Sequence, residues 1–151
     1  MPPSARPALV LAPGAGTRYE ARGSVMDFKA LASTGDGRFS LMERTLPPAG
    51  RMPPPHRHVG NDEAYYVLDG EVTFVLEGHN ETGGPGTFVL VPGGSGHTFG
   101  NRSQAPARLL VLHAPPLDTY FAELHALWHR PVDPTPDEER ALMLRHGMTP
   151  T

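Results

Sequence analysis

The chain has 151 residues, a length that suits one domain with a buried core of its own. Its formal net charge of -3 and pI near 6.2 argue against nucleic acid as a partner, and its lack of cysteine excludes disulfides and thiolate metal sites. No stretch approaches the roughly 18 apolar residues of a membrane span, and the N-terminus lacks the apolar core of a signal peptide, so we expect a cytoplasmic protein without membrane contact.

Short strands with glycine and proline turns between them are predicted after an irregular arm, residues 1–16. The arm contains an apolar run, residues 8–12, that suits pairing with the sheet edge of a second copy, so we expect a homodimer.

Asp69-Gly70, between two apolar runs, predicts a tight hairpin. Because no helical pattern separates the strands, we expect mainly antiparallel sheets, a β-sandwich or barrel, over residues 17–116. The predicted strands are 24–32, 38–46, 63–68, 71–77, 87–91 and 107–113.

The pattern changes to helical spacing after residue 116. From Leu117 to Trp128, apolar residues recur three and four positions apart, which predicts a helix with one face against the barrel. Residues 135–138 form a capping box with proline at the first helical position, and Gly147 suits the end of this second helix. We therefore expect a helical extension over residues 117–151, whose apolar stripe serves packing.

Two histidines two positions apart, His56 and His58, lie on the same face of a predicted strand. Glu63 opens the next strand, and His97 follows a distant proline and glycine turn. Three imidazoles and one carboxylate suit several first-row transition metals, although each histidine taken alone is more often an ordinary surface or hydrogen-bonded residue. The sequence does not decide the role of His113, which ends an apolar run. The remaining histidines are interpreted as ordinary surface or hydrogen-bonded residues: His79, His125, His129 and His146.

The spacing around these four residues is similar to the two motifs of the cupin superfamily. The first motif here is Gly50, five residues, His56, one residue, His58, four residues, Glu63, six residues, Gly70. The second is Gly86, five residues, Pro92, one residue, Gly94, two residues, His97, three residues, Asn101. The segments around both motifs resemble the small single-domain cupins often labelled quercetin 2,3-dioxygenase-like.

The resemblance implies an all-β fold, the cupin double-stranded β-helix or jelly-roll barrel, with two short C-terminal helices. By direct match to the motif positions, it also implies four ligands for one divalent metal ion: His56, His58, Glu63 and His97. The ion can be iron, manganese, nickel, copper, zinc or cobalt. The resemblance further suggests that Glu63 is the catalytic proton acceptor when it loosens from the metal.

Strand alternation indicates which other side chains surround the predicted metal site. Tyr65 shares the face of Glu63, and Phe99 shares that of His97. These two residues and His113 are the candidates for a substrate pocket, although core packing is an equally good interpretation of Tyr65 and Phe99. Three basic residues of the early strands are candidate anchors for a charged substrate, but surface exposure is the better interpretation of each: Lys29, Arg38 and Arg44.

Fold alone does not determine function, since cupins include dioxygenases, isomerases, epimerases, decarboxylases, cyclases, seed storage proteins and ligand sensors. The quercetin-dioxygenase-like resemblance implies an oxidoreductase that binds a small enolic or phenolic substrate and dioxygen at the metal. The first alternative is a redox-neutral, metal-dependent isomerase, cyclase or decarboxylase. The second is a non-catalytic ligand-binding protein.

Overall fold

The computed structural model describes residues 5–151, so the first four residues of the expected arm lie outside the described residues. The strands are β1 (Thr17–Ala21), β2 (Ser24–Ala30), β3 (Ser40–Leu46), β4 (His56–His58), β5 (Asp62–Asp69), β6 (Val72–Leu76), β7 (His79–Gly83), β8 (Phe88–Val91), β9 (His97–Gly100), β10 (Ala107–Ala114) and β11 (Met148–Pro150). The helices, α1 (Asp118–Trp128) and α2 (Pro136–Arg145), lie between β10 and β11. Within residues 5–151, no helix is long and apolar enough to cross a membrane.

The strands form two antiparallel sheets around one core. The six-stranded sheet has the order β1-β2-β3-β10-β5-β8, and the five-stranded sheet has the order β11-β4-β9-β6-β7. Consecutive strands such as β4 and β5 belong to different sheets, which is the connectivity of a jelly roll. The expected jelly-roll barrel with two short C-terminal helices is therefore confirmed.

The Asp69-Gly70 turn is present, but the predicted hairpin is wrong. In the described residues β5 pairs with β10 and β8, whereas β6 pairs with β7 and β9 in the other sheet. Gly70 has φ +75, and a Cβ atom there would lie 2.4 Å from the carbonyl oxygen of Pro106. The glycine is needed because the chain turns sharply from one sheet to the other against neighbouring backbone.

Inward-facing positions of the middle strands carry both apolar and polar side chains. Along β10, Leu109, Val111 and His113 are buried while their neighbours are more exposed. Along β3, Met42 and Arg44 are buried in the same alternating manner. His113 and Arg44 therefore point into the barrel beside its apolar core.

The two helices begin and pack as their sequences predict. The buried face of α1 includes Tyr120, Phe121 and Leu124, and the ring centroid of Phe121 lies 5.6 Å from that of Phe28 on β2. At the start of α2, Thr135 accepts a hydrogen bond at 3.2 Å from the backbone N–H of Glu138. α1 thus covers the barrel at its first strands, while α2 packs against β11 and α1.

Five strands lie outside the six predicted runs: β1, β4, β7, β9 and β11. β11 pairs with β4 so that Met148 lies opposite His58. This pairing ties the C-terminal end of the described chain to the strand that carries two of the predicted metal ligands. The domain boundaries at residues 16 and 116 stay predictions.

Candidate metal centre

Two neighbouring strands of the five-stranded sheet bring the three predicted histidine ligands together. On β4, His56 and His58 are buried while Arg57 between them is exposed, as strand alternation requires. On β9, His97 lies directly opposite His56 in the register of the pair. The ring centroids of His56 and His97 are 4.6 Å apart.

Glu63 reaches the histidines from the opposite sheet, where it stands near the start of β5. Its Oε2 atom lies 2.7 Å from His58 Nε2 and 3.0 Å from His97 Nε2, and His56 Nε2 lies 3.2 Å from His58 Nε2. One ligand atom from each of the four residues falls within 4.8 Å of the others, and all four residues are buried. The cluster therefore fits a metal site of three nitrogens and one oxygen.

The hydrogen bonds at the outer ring nitrogens provide a test of that fit. His56 Nδ1 donates to Pro54 O at 2.7 Å, and His97 Nδ1 donates to Ser95 O at 3.1 Å. Because a carbonyl only accepts, the neutral form of each ring carries its proton on Nδ1 and has a lone pair on Nε2. The lone pair of a neutral His97 then faces a carboxylate oxygen of Glu63, so this contact needs either a proton on Nε2 or a cation that both atoms bind. A metal ion satisfies this need, and the carbonyls orient the rings as outer partners of metal ligands do.

The protonation states of the cluster also suit a metal. Burial alone would raise the pKa of Glu63, but His113, His58 and His97 hold it well below the usual range. Burial, followed by the charge of His97, lowers the pKa of His56 to about 4. Burial opposes protonation of His97, yet its hydrogen bond to Glu63 and the carboxylate charge raise the pKa of that ring. An ionised Glu63 and a neutral His56 are the forms that coordinate a cation.

His113 adds a fifth polar group next to the four. β10 pairs with β5 so that His113 lies opposite Glu63, and His113 Nε2 stands 3.1 Å from Glu63 Oε1. The two oxygens of this carboxylate therefore have different neighbours, with Oε1 facing His113 and Oε2 facing His58 and His97. Within residues 5–151, the buried Nδ1 of His113 has no hydrogen-bond partner.

A narrow cavity of about 20 Å³, roughly the space of one water molecule, borders this cluster. Of the three candidates for a substrate pocket, Phe99 and His113 line this cavity. Tyr65 does not line the cavity, since its ring packs in the core with its centroid 5.1 Å from that of Phe74. Burial, followed by the nearby charge of Glu63, raises the pKa of its hydroxyl. The cavity is lined by Arg22, Arg44, Pro53, His56, His58, Glu63, Phe99, His113, Leu117, Tyr120, Phe121 and Met148.

Two arginines that line this cavity were not predicted from the sequence to lie there. Arg44 is 3% exposed, so its interpretation as a surface residue is wrong. Its alternation with Met42 on β3 was the available indication. Arg22 is buried in the turn between β1 and β2, where no motif pointed to it. The other candidate anchors lie away from the cavity, with Lys29 half-buried and Arg38 exposed.

The apolar stripe of α1 also contributes to the cavity. Leu117, Tyr120 and Phe121 line it, although the sequence predicted only a packing role for this stripe. Phe121 packs against His113, with ring centroids 5.6 Å apart. The same side chains thus serve the core and form one wall of the candidate site.

Comparison with known proteins places the site in a family. Residues 42–113, which include the four ligand candidates and His113, match the family model described as Cupin domain. Dimethylsulfoniopropionate lyase DddQ from Ruegeria pomeroyi is 40% identical over 74 residues, which are 48% of this chain and 35% of the lyase. The chain therefore spans about a third of the length of that curated relative.

Two solved structures are similar in both fold and sequence. A sugar phosphate isomerase of the cupin superfamily from Silicibacter pomeroyi is 28% identical, with a TM-score of 0.54 over 66% of this chain and 68% of its own. The polyketide cyclase RemF from Streptomyces resistomycificus is 26% identical, with a TM-score of 0.62 over 71% of this chain and 79% of its own. Both likenesses extend beyond the span matched by the family model.

Proposed function

The chain belongs to the cupin superfamily, and we propose that it is a metal-dependent enzyme that performs redox-neutral chemistry on a small organic substrate. The observation that carries the metal-dependent proton transfer is the position of Glu63, whose Oε2 faces two histidines of the ligand cluster while Oε1 faces His113. A lyase, an isomerase and a cyclase among the similar proteins support a reaction without net oxidation.

In this proposal one divalent ion is held by the four buried side chains of the cluster: His56, His58, Glu63 and His97. When bound, such an ion polarises a carbonyl or enolate oxygen as a Lewis acid. The mixed nitrogen and oxygen ligands suit iron, manganese, nickel, copper, zinc and cobalt alike.

The chain's own residues supply the proton chemistry and the enclosure. Glu63 is the catalytic residue and takes a proton from the substrate at Oε1. His113, which donates to that oxygen from Nε2, holds the carboxylate in position. Phe99 and Phe121 form apolar walls that exclude water from the reacting atoms.

The proposal is tested by measuring whether turnover needs oxygen. Protein reconstituted separately with zinc, manganese, iron and nickel is incubated with a panel of enolic and dicarbonyl acids, and products are followed by mass spectrometry in air and under argon. We expect equal rates with and without oxygen, and activity with zinc. The proposal is wrong if no metal binds to the refolded protein, or if turnover stops under argon.

A dioxygenase acting on an enolic or phenolic substrate is the second candidate, favoured by the quercetin-dioxygenase-like pattern of residues 63–70. Oxygen uptake that depends on both substrate and a redox-active metal would select this candidate. Metal and ligand binding without any turnover would instead favour a non-catalytic binding protein.

Glu63→Gln examines the role of the carboxylate in either reaction. An amide still coordinates through its oxygen but cannot take a proton, so this variant should retain more metal than His97→Ala and lose more activity per bound metal. Metal analysis and rates are measured on the same samples. An active Glu63→Gln variant with full metal content would exclude Glu63 as the proton acceptor.

A further inference from the structure

Two buried arginines line the cavity beside the ligand cluster. Arg44 projects inward from β3 and is 3% exposed, and Arg22 stands between β1 and β2 and is 6% exposed. Arginine is almost never fully buried in proteins unless its charge is paired. Each of these buried charges therefore requires a compensating partner.

Neither guanidinium group has a complete set of hydrogen-bond partners. Arg22 donates from Nε to Glu139 Oε1 at 2.9 Å, and Arg44 donates from Nη2 to Ser24 Oγ at 3.1 Å. Within residues 5–151, the buried Arg22 Nη2 and Arg44 Nε atoms have no acceptor. Buried charged donors without acceptors are costly, so both atoms call for an additional acceptor in the cavity.

The charges near the two arginines also favour an acceptor in the cavity, and specifically an anion. Burial, followed by repulsion from Arg22, lowers the pKa of Arg44 to about 10. Glu139 pairs with Arg22, and no acidic residue pairs with Arg44 in the described part of the chain. The acidic residue among those that line the cavity is Glu63, and its oxygens already face three histidines. With Arg22 paired to Glu139, an anion in the cavity would balance the remaining charge of Arg44.

The backbone at Arg22 is also unusual. Arg22 has φ +52 and is followed by Gly23 at φ +77, a turn whose first position normally favours asparagine, aspartate or glycine. A long side chain in this left-handed conformation is strained, and such strain concentrates at functional sites. The turn directs a buried arginine into the cavity at a conformational cost, which supports a binding role for it.

We propose that Arg22 and Arg44 bind the carboxylate group of the substrate, so that the enzyme acts on a small carboxylic acid. A planar guanidinium matches a carboxylate through two parallel hydrogen bonds, which a neutral group cannot form. The narrow cavity favours a compact anion over a phosphate ester. This inference rests on the proposed function, because it names the class of substrate that enters the site.

The test uses probes that differ in charge but match in shape. Binding of formate against formamide, and of acetate against acetamide, is measured by calorimetry on metal-loaded protein, with inorganic phosphate as a further anion. The variants are Arg44→Met, Arg44→Lys and Arg22→Met. The control is Arg108→Met, which removes a half-exposed arginine of β10 that pairs with Glu43 on the outer face of the barrel. Metal content and thermal unfolding are recorded for every variant.

We expect the wild type to bind each carboxylate more tightly than its amide. Loss of a charged hydrogen bond corresponds to about 10- to 100-fold in affinity, so Arg44→Met and Arg22→Met should lose about that much carboxylate binding with their metal content unchanged. Arg108→Met should change it less than about twofold. Arg44→Lys keeps the charge without the planar fork and should lose an intermediate amount, which preserves the test if Arg44→Met does not fold.

Equal binding of acids and amides, or arginine variants that bind carboxylates as the wild type does, would overturn the inference. Tighter binding of phosphate than of either carboxylate would overturn it as well, in favour of phosphate monoesters. If the wild type holds no metal and the metal-free protein still shows arginine-dependent carboxylate binding, the proposed function fails, and the two arginines bind a carboxylate ligand that is not a substrate.

Discussion

The ligand cluster (His56, His58, Glu63 and His97) and the arginine pair (Arg22 and Arg44) border one cavity but are built in different ways. In the cluster, strand alternation and the β4–β9 register place the histidines, and the match to the two cupin motifs identifies them in the sequence. In the arginine pair, Arg22 depends instead on the turn between β1 and β2 and on its contact with α2, and Arg44 depends on the inward face of β3. A site whose residues follow a known spacing can be identified from a sequence, whereas a site that depends on contacts without such a spacing cannot.

The two groups also differ in how their charges are compensated. The carboxylate of Glu63 is surrounded by imidazole nitrogens from strands of the barrel. Arg22 is compensated by Glu139 of α2, which also accepts a hydrogen bond from Trp128 Nε1 at 2.6 Å. Metal binding should therefore be independent of α2, while the arginine pair should depend on it.

Removing one ligand should produce the largest effect and leave the arginine pair intact. Since losing an outer partner of a ligand already costs about 10- to 100-fold in metal affinity, His97→Ala should lose more than about 100-fold. The barrel should stay folded, because a core of this size does not depend on a metal. Metal analysis after dialysis and circular dichroism measure the two effects, with His79→Ala on the exposed β7 as control. Retention of one tightly bound ion per chain in His97→Ala would contradict the assignment.

Breaking the buried ion pair of Arg22 should have the next largest effect, this time on stability. Glu139→Gln leaves a buried charge without its partner and should lower the free energy of unfolding by about 3–5 kcal/mol. The neighbouring Glu138→Gln breaks a partly exposed pair with Arg130 and should cost no more than about 1 kcal/mol. Urea unfolding and metal analysis compare the variants. If Glu139→Gln lost its metal while still folded, the independence of the two groups would be refuted.

Deleting residues 1–16 should have the smallest effect on either group. Leu9 and Val10 of the arm are exposed, and so are Phe88 and Leu90 of β8, an edge strand of the six-stranded sheet. The predicted homodimer pairs apolar arm residues with the sheet edge of a second copy. Sedimentation should show that the deletion converts a dimer to a monomer with unchanged metal content. A full-length monomer at micromolar concentration would remove the dimer from consideration.

The barrel and the ligand cluster were predictable because their rules are local. Turn residues separate the strands, and the spacing of His56 and His58 puts both on one strand face. The capping box at Thr135 marked the start of α2 for the same reason. The pairing of strands was harder to predict from the sequence. The turn at Gly70 is an example, because the same glycine suits a hairpin and a connection between two sheets.

By itself, then, the sequence determined which residues form the ligand cluster and which family of folds holds them. Tertiary structure alone decided that Arg44 faces inward, because both faces of β3 carry a mixture of polar and apolar side chains. It also decided that His113 lies beside Glu63, through the pairing of β10 with β5, and that Arg22 meets Glu139 across 117 positions of the chain. Alternation along one strand is a property of neighbouring residues, but the choice of buried face and of pairing partner depends on the packing of the whole barrel.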